Sequence, residues 1–288
     1  MDGAVFRRDV LVVLLIGISV LLRTTDAQAQ RAIPDDHLSF PVALLVTDGS
    51  TVILGTGFFF NAAKGQYLVT AKHVLFSKDG EGDVRPRLEI RGYGKDQKDT
   101  TPLRIEVDLD GLSQRGLVSR DSLQDIAVVR LGEHVPDDPN RQVRTAVPGV
   151  NFLSTPRSAI LGIPPHFIKL FDDVLVSNQV FVFGYPKSLG LLNQLDHARP
   201  LLRVGIVAGK NQQTRTIIID CPVYPGNSGG PVIEVEPRGS INVFKAIGVV
   251  TQFVPGTIDG KNIVNSGYAV VAPMDRVLET VERLEKKP

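Results

Sequence analysis

Short runs of apolar residues recur along the chain, and glycine, proline, asparagine and aspartate separate them. Runs of this length that are rich in β-branched and aromatic residues predict β-strands. Because little helical periodicity lies between them, the pattern favours an all-β barrel or sandwich over a parallel α/β sheet. The predicted strands are 40–46, 52–60, 66–71, 87–93, 103–109, 125–131, 179–185, 201–207, 215–221, 243–250 and 267–272.

These runs fall into two groups, six before and five after a proline-rich segment at 132–178. Repeated prolines predict a long linker with some irregular structure. We therefore place a first barrel at about 38–135, the linker at about 136–178 and a second barrel at about 179–272.

The end of the chain has a different periodicity. Residues 274–286 space Val277, Val281 and Leu284, together with Leu278, on one face at the 3.6-residue period of an α-helix. We expect this helix to dock on a barrel.

The first 29 residues have the layout of a secretory signal peptide. Arg7 and Arg8 precede an apolar run at 10–22, and Ala27-Gln28-Ala29 offers a cleavage site between small residues. The apolar run is shorter than the roughly 20 residues of a membrane-spanning helix. We therefore expect cleavage after about Ala29 and a periplasmic or secreted protein; without cleavage, the segment anchors an exported chain to the membrane.

Charge and cysteine content narrow the choice of partners. The net charge is +1, from 32 basic and 31 acidic side chains, so neither nucleic acid nor an anionic membrane surface is indicated as a partner. Nothing in the sequence points to a particular oligomeric state. Cys221 is the single cysteine, which excludes an intramolecular disulfide, and its apolar strand predicts a buried, inert thiol.

The stretch PVYPGNSGGPV (222–232) surrounds Ser228 with Gly226, Gly229 and Gly230. Its letters fit the G-x-S-x-G elbow of α/β-hydrolases, but that fold requires a histidine after the serine. No histidine follows Ser228. The remaining interpretation is a nucleophile that comes last, in the chain order His, Asp, Ser.

Two residues fit the other positions of that order. A serine hydroxyl needs an imidazole to take its proton and a carboxylate to orient that imidazole. His73 directly follows an apolar strand, and Asp125 opens another. The other histidines, at positions that lack the spacing of a zinc site, are His37, His134, His166 and His197. The sequence therefore predicts neither a metal nor a cofactor.

With these residues, the chain resembles the trypsin-like serine proteases, and within them the disulfide-free bacterial branch that includes the high-temperature-requirement (Deg-type) proteases. The resemblance spans about 40–275. It rests on the agreement of order and strand context among GTGFFF (55–60), TAKHV (70–74), DIAVVRL (125–131), VFGYP (182–186) and DCPVYPGNSGGPV (220–232).

The resemblance implies a chymotrypsin-like, all-β domain at 38–286, with two antiparallel six-stranded barrels and a C-terminal helix. Ser228 is then the nucleophile, His73 the general base and acid, and Asp125 the orienting carboxylate. The backbone N–H groups of Gly226 and Ser228 form the oxyanion hole, and the substrate is a polypeptide.

Two departures from relatives are visible. Asn227 stands where animal digestive members carry an activating aspartate, in agreement with the Deg-type branch. No PDZ domain follows, so the resemblance does not extend to the regulated oligomeric cage of some relatives.

The resemblance also implies a primary pocket bounded by Pro222, by Gly248, Val249 and Val250, and by Gly267 and Tyr268. Since no charge lies at its expected floor, we expect an apolar or small side chain before the scissile bond. If Asp220 reached the pocket, basic side chains would be preferred instead.

The sequence therefore predicts an exported serine endopeptidase that acts through an acyl-enzyme. Two alternatives stay open: a catalytically silent binding or scaffold protein of the same fold, and an esterase that uses the same three residues.

Overall fold

The computed structural model describes residues 32–134, 143–187, 196, 199–258 and 262–286. The chain divides into a short unit, Met1–Pro34, and one body, Asp35–Pro288, which contains the sheets. The predicted signal peptide and His197 lie outside the described residues. Among the helices that are described, none has the length and apolar character needed to cross a membrane.

The first half of the body forms a curled antiparallel sheet of nine strands in the order β6-β7-β3-β2-β1-β4-β5-β9, with β8 paired to β7. The strands are β1 (Pro41–Asp48), β2 (Thr51–Asn61), β3 (Gly65–Thr70), β4 (Arg87–Gly92), β5 (Leu103–Asp108), β6 (Val118–Arg120), β7 (Ala127–His134), β8 (Val143–Ala146) and β9 (Val150–Ser154).

The second half forms a closed antiparallel barrel of six strands in the order β10-β11-β12-β15-β14-β13. They are β10 (Gln179–Gly184), β11 (Leu201–Asn211), β12 (Thr216–Asp220), β13 (Pro231–Arg238), β14 (Ile241–Ile258) and β15 (Asn262–Pro273). The predicted all-β, chymotrypsin-like fold is thus confirmed, while the first sheet has nine strands where six were expected.

The additional strands explain that difference. All eleven predicted runs form strands, and the first six of them are β1 to β5 and β7. The strands that were not predicted are short or carry charges and proline: β6, β8, β9 and β13. Both β8 and β9 come from the proline-rich segment that was predicted as a linker, and they pair with β7 and β5 of the first sheet.

Each sheet buries its own apolar core. Leu44, Phe59 and Ile90 belong to the first core, and Val182 and Ile219 belong to the second. In β1 the core residues Val42, Leu44 and Val46 lie on alternate positions, as a two-residue period requires.

The helices are short except for the last. They are α1 (Lys72–Leu75), α2 (Leu109–Gln114) and α3 (Met274–Glu285), and the 3₁₀ turns are Asp35–Ser39, Lys78–Gly80, Pro165–Phe167 and Phe171–Asp173. Helix α3 confirms the predicted C-terminal helix and buries Val277, Val281 and Leu284. It continues from β15 of the second barrel but packs against β6 and β7 of the first sheet. The helix therefore holds the two sheets together.

Candidate active site

His73 and Asp125 form the best-defined contact of the candidate site. The ring Nδ1 of His73 lies 2.6 Å from Oδ2 of Asp125, and the backbone N–H of His73 donates to Oδ1 at 3.0 Å. Both side chains are partly exposed. With Nδ1 directed to the carboxylate, Nε2 is the ring nitrogen left to exchange a proton with a substrate or nucleophile.

Local structure fixes the position of His73. Strand β3 ends at Thr70, and the chain turns at once into α1, whose second residue is His73. The guanidinium of Arg85 donates to the carbonyls of His73 (3.0 Å) and Val74 (3.3 Å). Arg85 therefore satisfies carbonyls that such a short helix leaves without partners.

The turn that carries Ser228 contacts both sheets. Its carbonyl accepts the N–H of Thr56 from β2 at 2.9 Å, and the N–H of Gly229 donates to Val250 of β14 at 2.7 Å. A Cβ on Gly229 would lie 2.9 Å from the backbone nitrogen of Ala71, two residues before His73. The structure thus brings the serine turn against the segment that carries His73.

The hydroxyl of Ser228 is half-buried and loosely held. It donates to the carbonyl of Thr251 at 3.4 Å, well beyond the usual 2.7–2.8 Å of an O–H···O bond. A hydroxyl hydrogen turns to suit its surroundings, so this contact leaves it available for another acceptor.

Gly226 has a backbone conformation that favours glycine. Its φ is +100°, and a Cβ there would lie 2.3 Å from the carbonyl oxygen of Tyr185. Within the described part of the chain, neither the N–H of Gly226 nor that of Ser228 donates a hydrogen bond. Two amides of the serine turn are thereby left for an anionic or carbonyl oxygen.

Thr56, which the sequence did not single out, and Asn227, whose contact it did not predict, hold this turn. The buried hydroxyl of Thr56 donates to the carbonyl of Gly226 at 2.6 Å and accepts the N–H of Tyr185 at 3.0 Å. The buried Asn227 accepts the N–H of Tyr224 at 3.2 Å. Since Thr56 comes from the first sheet and Gly226 from the second half, one hydroxyl ties the two halves together beside the site.

The predicted pocket residues have mixed surroundings. Val249 and Val250 are fully buried, and a Cβ on Gly248 would lie 2.3 Å from the carbonyl oxygen of Ala272. This segment therefore contributes no side chain to an open pocket. Next after Val250 in β14, Thr251 supplies the carbonyl that accepts from the Ser228 hydroxyl.

The other pocket residues lie closer to open space. Pro222 is half-buried, Tyr268 is exposed, and Gly267 has a φ of +88°. The nearest atom to a Cβ on Gly267 would be Oδ1 of Asp220, at 4.0 Å. An exposed carboxylate thus lies beside this end of the predicted pocket.

Among the residues that the structure describes, no group of three or more His, Cys, Asp and Glu could hold a metal ion. Cys221 is fully buried, and burial raises the pKa of its thiol to about 11, against a smaller opposing effect of Arg203. At neutral pH this thiol is protonated and is not a competing nucleophile.

Comparison with known proteins assigns the fold to a family. The model of the trypsin-like peptidase domain matches residues 55–238. A protein of Sinorhizobium fredii (strain NBRC 101917 / NGR234), the uncharacterized protein y4bJ, is 27% identical over 231 residues, which are 80% of this chain and 26% of that protein. The chain thus spans about a quarter of the length of this relative.

Two solved structures are similar to this chain. The HtrA-type protease AlgW, solved with a tripeptide, has a TM-score of 0.51 and 15% identity, over 87% of this chain and 64% of that one. The serine endoprotease from Yersinia pestis has a TM-score of 0.49 and 16% identity, over 89% and 68% of the two chains. At such identities the AlgW match supports the fold.

Proposed function

Because the chain belongs to the trypsin-like peptidase family, we propose that it is an exported serine endopeptidase that hydrolyses polypeptides through an acyl-enzyme. The observation that carries the proposal is the bond between His73 Nδ1 and Asp125 Oδ2. A carboxylate in this place holds the imidazole in the tautomer that has a basic Nε2.

In the proposed reaction, Oγ of Ser228 attacks the carbonyl carbon of the scissile peptide bond while Nε2 of His73 takes the hydroxyl proton. The imidazolium is stabilised by Asp125 and then donates its proton to the leaving amine. The acyl group stays on Ser228 as an ester. Water, deprotonated by the same imidazole, hydrolyses that ester and returns the hydroxyl.

The amides of Gly226 and Ser228 supply the second part of the proposed catalysis. Negative charge develops on the carbonyl oxygen as the tetrahedral intermediate forms, and donors that are already fixed stabilise it without reorganisation. In support, the turn is held by Thr56 and by the neighbouring Asn227. Losing one such donor typically costs about 10²–10³ in turnover.

The test is active-site labelling of the purified chain with a fluorophosphonate probe. We expect covalent labelling that is lost in Ser228→Ala and retained in Ser240→Ala, which removes an exposed serine from a surface turn. Labelling that persists in Ser228→Ala removes the proposed nucleophile. A chain that is folded but never labelled supports the silent scaffold.

Substrate assays separate the remaining alternatives. We expect cleavage of casein. If the probe labels Ser228 but the protein hydrolyses only esters and no peptide bonds, the esterase is favoured. A peptide panel that differs only before the scissile bond tests the proposed apolar or small preference, and cleavage only after Arg or Lys assigns that specificity to Asp220.

Fractionation of cells that express the full chain tests export. Retention of the protein in the cytoplasm contradicts it.

A further inference from the structure

Asp121 is a buried carboxylate four residues before Asp125. Its Oδ1 accepts the N–H groups of Leu123 (2.9 Å) and Gln124 (2.7 Å), and its own N–H donates to the carbonyl of Ile126 at 2.8 Å. These bonds close the loop 121–126 on both sides of Asp125. The conformation that presents Asp125 is therefore built around Asp121.

The other oxygen of Asp121 is bound by the C-terminal helix. Its Oδ2 accepts Nη2 of Arg276 at 2.6 Å and Nη2 of Arg283 at 3.0 Å. Burial raises the pKa of the Asp121 carboxyl, but the bonds from Gln124, Leu123 and Arg276 outweigh burial and hold this pKa below its usual value. Asp121 is thus a buried anion whose charge is balanced by α3.

A second contact anchors the same loop from the opposite side. The side-chain amide of Gln124 donates to the carbonyls of Thr214 (2.8 Å) and Arg215 (3.0 Å), in the hairpin between β11 and β12. Arg215 in turn binds Asp275 of α3 at 3.0 Å. The loop beside Asp125 is therefore fixed by the helix and the second barrel together.

From this arrangement we propose that Arg276 and Asp121 are positioning residues for Asp125, so that helix α3 sets the geometry of the catalytic carboxylate. The activity part of this inference rests on the proposed function. The ion pair at the helix holds the loop, the loop holds Asp125, and Asp125 holds both the backbone N–H and the ring of His73.

One amide reports on this chain of contacts without any need for activity. The N–H of His73 lies in the first turn of α1, where an α-helix supplies no acceptor of its own. It donates to Oδ1 of Asp125. Its hydrogen-exchange rate therefore measures how firmly Asp125 is held.

The experiment compares Arg276→Gln with Glu279→Gln in the full chain. Arg276 also pairs with the exposed Glu279 at 2.5 Å, so the second variant removes the charge of another partner of the same arginine and leaves Asp121 paired. In Arg276→Gln we expect exchange at the His73 amide to rise by at least about 10-fold, as local opening requires. The Val69 amide of β3 should not change, and neither amide should change in Glu279→Gln.

Activity gives a second readout. Arg276→Gln should lower kcat by about 10-fold with KM unchanged, and Arg276→Lys should restore part of it. In an Asp125→Ala background the Arg276 substitution should have no further effect, because residues that act through one group are not additive.

Any of three results overturns the inference. The exchange rate of the His73 amide is unchanged in Arg276→Gln, or the Val69 amide shows an equal rise, which reports a general loosening of the fold. The third is a full further loss of kcat when Arg276→Gln is added to Asp125→Ala. If Asp125→Ala leaves labelling of Ser228 unchanged, the proposed function fails, and the His73 amide still decides the positioning role. Should Arg276→Gln not fold, Arg283→Gln, at a more exposed arginine, replaces it. The rise at the His73 amide should then be smaller, because Arg276 still pairs with Asp121, and an unchanged His73 amide again overturns the inference.

Discussion

Asp125 binds His73 twice, through Oδ1 to the backbone N–H at 3.0 Å and through Oδ2 to the ring Nδ1 at 2.6 Å. Because both carboxylate oxygens are used, the carboxylate cannot turn without losing one bond, and the imidazole plane is fixed relative to its own backbone. The pair therefore acts as one rigid unit that leaves Nε2 free.

Asp125→Asn should remove catalysis and keep the fold. In Asn an NH2 group replaces one of the two carboxylate oxygens, so in the native geometry one N–H group of His73 loses its acceptor. An NH2 group that faces the ring also favours the wrong tautomer. We expect kcat to fall by about 10⁴, the scale typical of this change in such triads. A fluorogenic peptide assay measures it. Asp110→Asn, at an exposed position of α2, should retain full activity, and an active Asp125→Asn contradicts the assignment.

Gly226→Ala should abolish labelling of Ser228. A Cβ at this position meets the Tyr185 carbonyl oxygen at 2.3 Å, and φ of +100° is strained for alanine. Gly239→Ala is the matched control, because Gly239 also has a positive φ, +61°, but has open space around its Cβ position. Similar fluorophosphonate labelling rates in the two variants would show that the shape of the Gly226 turn is unimportant.

Thr56→Val should weaken both stability and turnover. The substitution keeps the shape but leaves the carbonyl of Gly226 and the N–H of Tyr185 without their partner. Each unsatisfied buried group costs about 1–3 kcal/mol, so the free energy of unfolding, measured in urea, should fall by at least that amount. Thr51→Val, at an exposed end of β2, is the control. An equal loss of the free energy of unfolding in this control would contradict the role of the Thr56 hydroxyl.

The parts of the site that the sequence predicts carry local signals. His73 and Asp125 each adjoin an apolar strand, and the glycines around Ser228 fix a turn within a few residues. The strands themselves were predicted where apolar runs are continuous. In contrast, β13 contains the buried Glu234, whose charge hides the strand in a hydrophobicity pattern.

The supports of the site depend on contacts that no local pattern contains. Thr56 meets Gly226 across 170 residues, and Arg276 meets Asp121 across 155. Each of these residues is unremarkable in its own segment. Only the folding of the first sheet, the second barrel and α3 against one another brings these residues together, so sequence reasoning finds the candidate reacting groups before it finds what holds them.

Cys221 should resist alkylation in the folded protein. Burial raises the pKa of its thiol to about 11, and the reactive thiolate is therefore scarce and shielded at pH 8. Iodoacetamide should modify it only after urea unfolds the chain, as intact mass spectrometry will show. Rapid modification under native conditions contradicts the buried position.

His37 is buried among three aromatic rings. Its ring stacks on Phe40 at 5.1 Å and meets the edges of Phe167 (5.3 Å) and Phe244 (5.0 Å). Burial lowers the pKa of His37, and the nearby Asp36 opposes this only partly. The folded state therefore favours the neutral ring, and its Nδ1 has no partner among the described residues.

Acidification should consequently destabilise the protein through His37. In the unfolded chain the pKa of His37 is about 6.5. Above that pH the ring is neutral in both states, and its contribution to the free energy of unfolding is fully present. As the pH falls below that value, the unfolded chain binds a proton more readily than the folded protein does, so this contribution is lost. Urea unfolding at pH 8 and pH 5 should show a smaller loss in His37→Phe than in the natural chain. His166→Gln, at an exposed histidine, should keep the full loss. An identical pH dependence in His37→Phe would remove His37 as its source.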